Sequence, residues 1–388
     1  MPEQGPAFRV GGRIDPPYFV DREQSIETLV HDAASLAQSN VIIAPRRFGK
    51  TALLYAVQAR LAGSLLAPYI TGLGTPDPVT LHDRVVEALL DAFEARHGRT
   101  RRLLATWRDV LTKPVLSTFE RLDEVGGSFA EIGSVRLKFR TKEADPRRLL
   151  EATFGFVERF AAEHGENVVL IFDEFQELAT FGDLVFPLLK ASMDAQRHVT
   201  YIFSGSSLSL LADVFGREGK SPLYQMVGRL YLGEIDLATV RTFVRERLRD
   251  VHGVVITDGG LEAVTFHAGG IPYYVQKLGV LLERTVLLES RKRLAKADVD
   301  AACARMLDEL DADFLERWTT RWSDQQRTIL RALARAPKTL TEIANHAGVP
   351  AENLTYNLRR MQDEMVLTKE NGAYRIVDRV FAAWLARL

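Results

Sequence analysis

Two stretches about 120 residues apart hold residue types that handle phosphate and a divalent cation. In the first, residues 41–54 (VIIAPRRFGKTALL), the apolar run Val41, Ile42, Ile43, Ala44 reads as a buried central strand. Pro45, Arg46, Arg47, Phe48, Gly49, Lys50 and Thr51 follow, and Ala52 and Leu53 open a helix. Strand, loop and helix with Gly-Lys-Thr at the helix start is the context of a phosphate-binding P-loop. Backbone N–H groups of such a loop point at phosphate oxygens, and the helix dipole favours the anion. Gly49 lets the backbone come close, Lys50 reaches the β- and γ-phosphates, and the Thr51 hydroxyl ligates Mg²⁺. The full pattern opens with glycine, and Ala44 stands in that place, which is workable if its φ stays negative. Gly-Lys-Thr by itself also fits a plain strand–turn–helix with an exposed lysine.

The second stretch gives the first its weight. Val168 to Phe172 are five consecutive apolar residues, followed by Asp173, Glu174, Phe175, Gln176 and Glu177. A buried strand ending in adjacent carboxylates is expensive unless a cation waits there. In P-loop enzymes that cation is Mg²⁺, supported by the strand-end Asp, here Asp173. Glu174 is then placed to polarise an attacking water as general base. Acids also favour helix N-termini for their own sake, which is the plainer reading of the same residues.

Two further places bear on the same chemistry. Residues 199–203 (VTYIF) read as another buried strand, ending in Ser204, Gly205, Ser206 and Ser207. Ser204 or Ser206 at its tip is expected to sense a γ-phosphate or hold the water, although Ser and Gly also favour turns. Arg229 is expected just before a last strand at 230–235, either as an arginine finger in its own or a neighbouring subunit, or as a plain ion-pairing residue.

The elements that position these residues follow from the rest of the chain. With 388 residues the length suggests two or three domains. Hydrophobic content of 46% and charged content of 26% are ordinary for a globular protein. A net charge of −1 gives no global pull toward nucleic acid or membrane, so such binding needs a local patch. The lone Cys303 excludes a disulfide framework or a Cys-based zinc site within one chain and reads as a small buried residue. No signal peptide and no run of eighteen apolar residues is present, so no membrane partner is expected and the cytoplasm is the expected compartment.

Residues 1–17 read as a Gly/Pro-rich tail or extended arm. Residues 18–235 form the core, with Asp21 expected to cap its first helix and 65–73 as its second strand. An insert at about 96–146 contains Arg96, Arg99, Arg101, Arg102 and Arg108, more in keeping with a solvated face than a phosphate contact, and alternation at 134–140 that reads as a small hairpin strand. Residues 236–320 read as four lid helices: the first capped by Asp236, the second at 258–267, the third opened by Pro272, the fourth at about 297–317. Residues 321–388 read as helix, short helix, helix and a hairpin at Asn371-Gly372, a winged helix-turn-helix. Asn353, Thr355, Tyr356, Arg359 and Arg360 lie on the helix that would read a major groove. From Ser323 onward there are ten Lys/Arg against seven Asp/Glu, only mildly basic, and winged helices also dock proteins.

The order Phe19-Val20-Asp21-Arg22-Glu23, APRRFGKT, LIFDEFQEL, SGSS, Gly270-Ile271-Pro272-Tyr273-Tyr274 and a winged helix resembles the archaeal-type P-loop ATPase family, related to STAND and AAA+ proteins. The resemblance covers about 18–388 apart from the insert. It implies an α/β fold, a P-loop parallel sheet flanked by helices with the Ser204 strand between the strands of the P-loop and Asp173, then a helical lid and a C-terminal winged helix. It also implies ATP and Mg²⁺ as cofactors, with adenine near Phe19, Val20 and Arg22 and the Pro272 helix facing the nucleotide. The implied activity is slow ATP hydrolysis in a switch that couples nucleotide state to homo-oligomer assembly, or to duplex DNA or a protein partner through the winged helix. The rival reading is a DNA-binding regulator or a replication- or transposition-type initiator in which ATP only sets the assembly state.

Overall fold

The computed structural model describes residues 5–14, 17–97, 146–182, 185–206, 211, 214–215 and 221–388. Arg99, Arg101, Arg102, Arg108, Ser207 and the hairpin strand expected at 134–140 lie outside them. By internal contacts the chain divides into two compact units. One spans Arg22–Ile43 and Leu53–Tyr231; the other takes in Met1–Asp21, Ala44–Ala52 and Leu232–Leu388.

The first unit is built on a parallel sheet of β1 (Ser39–Ile43), β2 (Tyr69–Thr71), β3 (Val168–Asp173), β4 (Val199–Gly205) and β5 (Val227–Tyr231), in the order β2-β3-β4-β1-β5. β4 therefore lies between β1 and β3, as the family resemblance implies. Every residue of β3 and β4 is buried, which is why both read as unbroken apolar runs. Phe172, Phe175, Phe203 and Phe215 pack against one another beneath the sheet's carboxyl end, with Phe175 and Phe203 centroids 4.4 Å apart. Helices Glu23–Ala34, Pro78–His97, Pro146–His164 and Val185–Ala195 belong to the same unit. Arg96, the described member of the arginine cluster, pairs with Glu166 at 3.3 Å.

Three boundaries differ from expectation. β2 is shorter than 65–73, because Pro68 has no N–H to give and only a single bridge, Leu66 to Val168, precedes it. β5 starts at Val227 rather than Leu230. As an edge strand it is largely exposed, and Gly228 and Arg229 give no apolar signal. Asp21 is no N-cap: its φ is 64°, whereas a cap needs extended backbone, and Arg22 (φ 78°) takes the position without a capping bond from its side chain.

The second unit contains helices Leu237–His252, Asp258–Ala268, Pro272–Glu289, Lys296–Glu309 and Asp311–Arg321. Asp236 caps the first, accepting from Ala238 N and Thr239 N. The expected fourth helix at 297–317 is two, because the chain breaks at Leu310, and Leu310 and Phe314 are both buried. Two short strands between these helices, β6 (Val255–Ile256) and β7 (Arg293–Leu294), pair in parallel. Helices Asp324–Leu333, Leu340–Ala347 and Ala351–Asp363 then precede the hairpin of β9 (Leu367–Glu370) and β10 (Ala373–Ile376). Asn371 (φ 50°) and Gly372 (φ 82°) make its left-handed turn. A third strand, β8 (Lys338–Thr339), pairs with β10 and completes the wing, and a last helix, Arg379–Leu385, closes the chain. Two residues paired on one side carry no periodicity, so β8 is invisible in the sequence. No helix among the described residues is long and apolar enough to cross a membrane.

The described part of the amino-terminal segment is an extended arm held in this second unit. Ala7 N–H donates to Glu283 Oε1 (2.7 Å), Arg9 N–H to Gln276 Oε1 (2.9 Å), and Gln276 Nε2 donates to the Tyr18 carbonyl (2.7 Å). Arg247 Nε donates to the Ala7 carbonyl, and Phe8 is buried edge-on to Phe243. Truncation of Phe8 in F8A is expected to cost about 3–5 kcal/mol of the unit's stability, read as a lower urea midpoint. An unchanged midpoint would show that the arm is not docked.

Candidate active site

The tip of β3 shows how the sheet pays for buried charge. Asp173 is 4% exposed, and its carboxylate is met from both neighbouring strands. Ser204 Oγ on β4 donates to Oδ1, as does Glu174 N–H (3.0 Å), and Tyr69 Oη on β2 donates to Oδ2 (2.7 Å). Parallel registers Thr71 to Asp173 and Phe172 to Phe203 bring these side chains to one level. Burial, then the Asp173 carboxylate, raises the Tyr69 hydroxyl's pKa well above its ordinary value, so it stays a donor. Tyr69 also stacks on Tyr55 at 4.8 Å.

Glu174 follows in a left-handed conformation, φ 50° and ψ 45°, and heads the short 3₁₀ helix Phe175–Phe181. Its half-buried carboxylate accepts from Ser206 Oγ at 2.8 Å and Gln176 Nε2 at 2.5 Å. A Cβ at Gly72 would come within 2.3 Å of the Glu174 carbonyl oxygen, so only glycine permits this backbone approach. Gln176 and Tyr69 were not singled out from sequence. Gln176 stood in the Asp-Glu-Phe-Gln run without a role, and no signal marked Tyr69 as a neighbour of Asp173. The two expected serines divide their work: Ser204 serves Asp173 and Ser206 serves Glu174.

In the other unit, Ala44 through Lys50 form the loop and Lys50 starts the helix Lys50–Leu61. Ala44 is buried and is not left-handed, so alanine suffices there. Gly49 has φ 85°, which glycine tolerates best. Lys50 Nζ, buried, donates to the carbonyls of Ala44 (3.0 Å) and Pro45 (3.1 Å) inside the loop. Thr51 and Arg46 are exposed, Phe48 is buried, and Pro45 and Ala52 are half-buried. The Pro272 ring stands 3.6 Å from where a Gly49 Cβ would lie, and Tyr273 N–H donates to the Arg47 carbonyl (3.3 Å). Phe19 and Val20 are half-buried in this unit, and Arg22 is half-buried at the head of its helix in the other.

Arg47 is the loop's unexpected member. Its φ is 77°, unusual for a residue with a Cβ. Its guanidinium lies 5.0–5.1 Å from the ring centroids of Tyr273, Tyr274 and Phe314, donates to Tyr274 Oη and pairs with Asp313. Burial works against its charge, but Tyr274, Asp378 and Asp313 outweigh this and raise its pKa. The Arg47 side chain is thus engaged by the lid, and what it can offer a phosphate is its backbone N–H.

The remaining expectations are placed as follows. Arg229 is exposed in the middle of β5, not before a strand, and donates to the Phe215 carbonyl. Asn353, Thr355, Tyr356, Arg359 and Arg360 are all exposed on the helix Ala351–Asp363. Cys303 is buried, and burial pushes its thiol up to about 11, too high for a nucleophile at neutral pH. No group of three or more His, Cys, Asp or Glu among the described residues could hold a metal ion alone. Thr51 in one unit and Asp173 in the other each carry an oxygen donor of the hard type that Mg²⁺ takes.

Comparison with known proteins bears on this geometry. The fold is similar to that of the Walker-type ATPase paby2304 of Pyrococcus abyssi: TM-score 0.69, 18% identity, 98% of this chain and 99% of that one. It is also similar to the Aeropyrum pernix ORC2 protein in its ADPNP and ADP complexes: TM-score 0.56, 14% identity, 98% of each chain. No curated protein matches the sequence. A family model described as an ATPase domain predominantly from Archaea matches residues 19–278, which take in the P-loop, the β3 carboxylates and the Pro272 helix, and the chain belongs to that family.

Proposed function

We propose that this ATPase is a Mg²⁺-dependent molecular switch whose nucleotide state sets assembly and duplex DNA binding through the winged helix. The observation that carries the reading is the composition of the second unit: the phosphate loop packs as one body with the lid helices and the winged helix. A loop that wraps phosphate is thereby part of the same packing as the surface a partner would meet.

In this reading Lys50 and the loop's N–H groups, from Ala44 to Ala52, hold the phosphates. Phe19, Val20, Arg22 and Pro272 bound the adenine side. Thr51 and Asp173 would hold Mg²⁺, which would supply positive charge to the phosphates. Glu174 takes a proton from water as its oxygen bonds to the γ-phosphorus and the bond to the ADP oxygen breaks. Ser206, already bonded to Glu174, links that carboxylate to the β4 tip, and Ser204 orients the Asp173 carboxylate. Arg229 would report γ-phosphate across a subunit boundary, for which its exposure on an edge strand is suited.

Duplex DNA is favoured as partner by the five exposed side chains on the helix Ala351–Asp363. Tyr356 among them is a large aromatic left 73% exposed.

E174Q is expected to bind ATP with near wild-type affinity and lose hydrolysis by 10²-fold or more, roughly the worth of a general base. Normal phosphate release in that variant would remove Glu174 from the mechanism. Light-scattering mass of E174Q with ATP and Mg²⁺, with and without duplex, is expected to grow. A monomer under every condition would count against assembly and leave Arg229 without a neighbour to act on. Duplex affinity should fall steeply with salt, and the double variant R359A/R360A should flatten that slope by about 2. A flat salt profile in the wild type would redirect the winged helix to a protein partner.

A further inference from the structure

The contacts of Arg47 continue beyond the loop. Tyr274 Oη, which receives the Arg47 guanidinium, donates to Asp378 Oδ2 at 2.8 Å. Asp378 also pairs with Arg317 at 3.2 Å, and its Oδ1 accepts Phe381 N–H at 2.9 Å, capping the last helix of the winged helix. Asp313, Phe314 and Arg317 all lie on the helix Asp311–Arg321, where spacings of three and four bring side chains to one face. One side chain of the phosphate loop is therefore tied to the lid through Tyr273 and Tyr274, to the connecting helix through Asp313 and Phe314, and by one further bond to the winged helix.

We infer that Arg47 is a positioning residue that holds the phosphate loop in its curve from outside and makes nucleotide affinity depend on the docking of the winged helix. The inference rests on the ATPase-switch reading above and supplies its route of coupling. Three features support it. A left-handed φ at a residue with a Cβ is held only where surrounding contacts over-determine it, and here they come from two separate helices, Pro272–Glu289 and Asp311–Arg321. The Arg47 carbonyl accepts Tyr273 N–H, so backbone and side chain of one residue are both fixed by the first turn of the Pro272 helix. Tyr274 is fully buried and bonded on both sides, so movement of Asp378 breaks a bond that no water replaces.

The chemistry does not suit lysine. Three aromatic rings, a phenol oxygen and a carboxylate around one cation match a planar fork with several donors, not a point charge. By linkage the effect is reciprocal: a partner that pulls the winged helix from Asp378 weakens nucleotide binding by the factor with which nucleotide resists that partner.

The test combines binding of a non-hydrolysable ATP analogue with Mg²⁺ and hydrogen exchange of the full chain. In the wild type the analogue should slow exchange in Asp311–Arg321 and Arg379–Leu385. In R47A and R47K that slowing should vanish and analogue affinity fall about tenfold, within the usual range of coupling. Y274F and D378N, which leave the loop sequence intact, should lower affinity in the same direction by a few-fold. R387A breaks the Arg387–Asp308 ion pair elsewhere in the unit and should change neither reading. Wild-type affinity in both Y274F and D378N, or no exchange change in the wild type despite saturable binding, would overturn the coupling alone. Failure of the wild type to bind the analogue would overturn the nucleotide reading and the coupling with it.

Discussion

The sheet depends on one constraint: a strand buried on both faces cannot end in a carboxylate unless its neighbours answer the charge. β3 meets it at Asp173 with Tyr69 and Ser204 from the two adjacent strands and with the next residue's own N–H. Burying a carboxylate without partners costs several kcal/mol. Strand order, parallel register and the identities at two neighbouring positions are therefore linked. The aromatic cluster of Phe172, Phe175, Phe203 and Phe215 supports this tip from below, where close packing limits how far it can shift.

The same economy shapes Glu174. A strained left-handed backbone is tolerated because Gly72 gives it room and because Ser206 and Gln176 hold the side chain. Both bonds fix the direction of the carboxylate at the carboxyl end of the sheet. Strain of this kind persists only where the surrounding structure over-determines it.

The phosphate loop has its own support. In many folds a loop takes its shape from glycine and from the anion it binds. Here Gly49 supplies one positive φ, while Arg47 reaches it through contacts with the lid. The loop's curvature is thus shared between local sequence and a distant part of the chain. The extended arm follows the same pattern, with its backbone groups met by the buried side chains of Gln276 and Glu283.

The sequence by itself determined the parallel α/β core, the strand–loop–helix at Lys50, the carboxylate pair after β3 and the winged helix, because these rest on local signals. Apolar runs, Asp236 as a cap, Pro272 at a helix start and Asn371-Gly372 at a turn act within a few residues of themselves. The tertiary structure decided what depends on residues remote in the chain: Tyr69 beside Asp173, Gln176 turned back onto Glu174, and Arg47 drawn among Tyr273, Tyr274 and Phe314. It also decided the edge strand β5, which forms by pairing with β1, and the break at Leu310, where burial overrides local pattern. Hydrogen bonds and cation–π contacts are short-ranged in space but indifferent to sequence separation, so the partners of Arg47, more than two hundred residues away, leave no trace in the spacing around it.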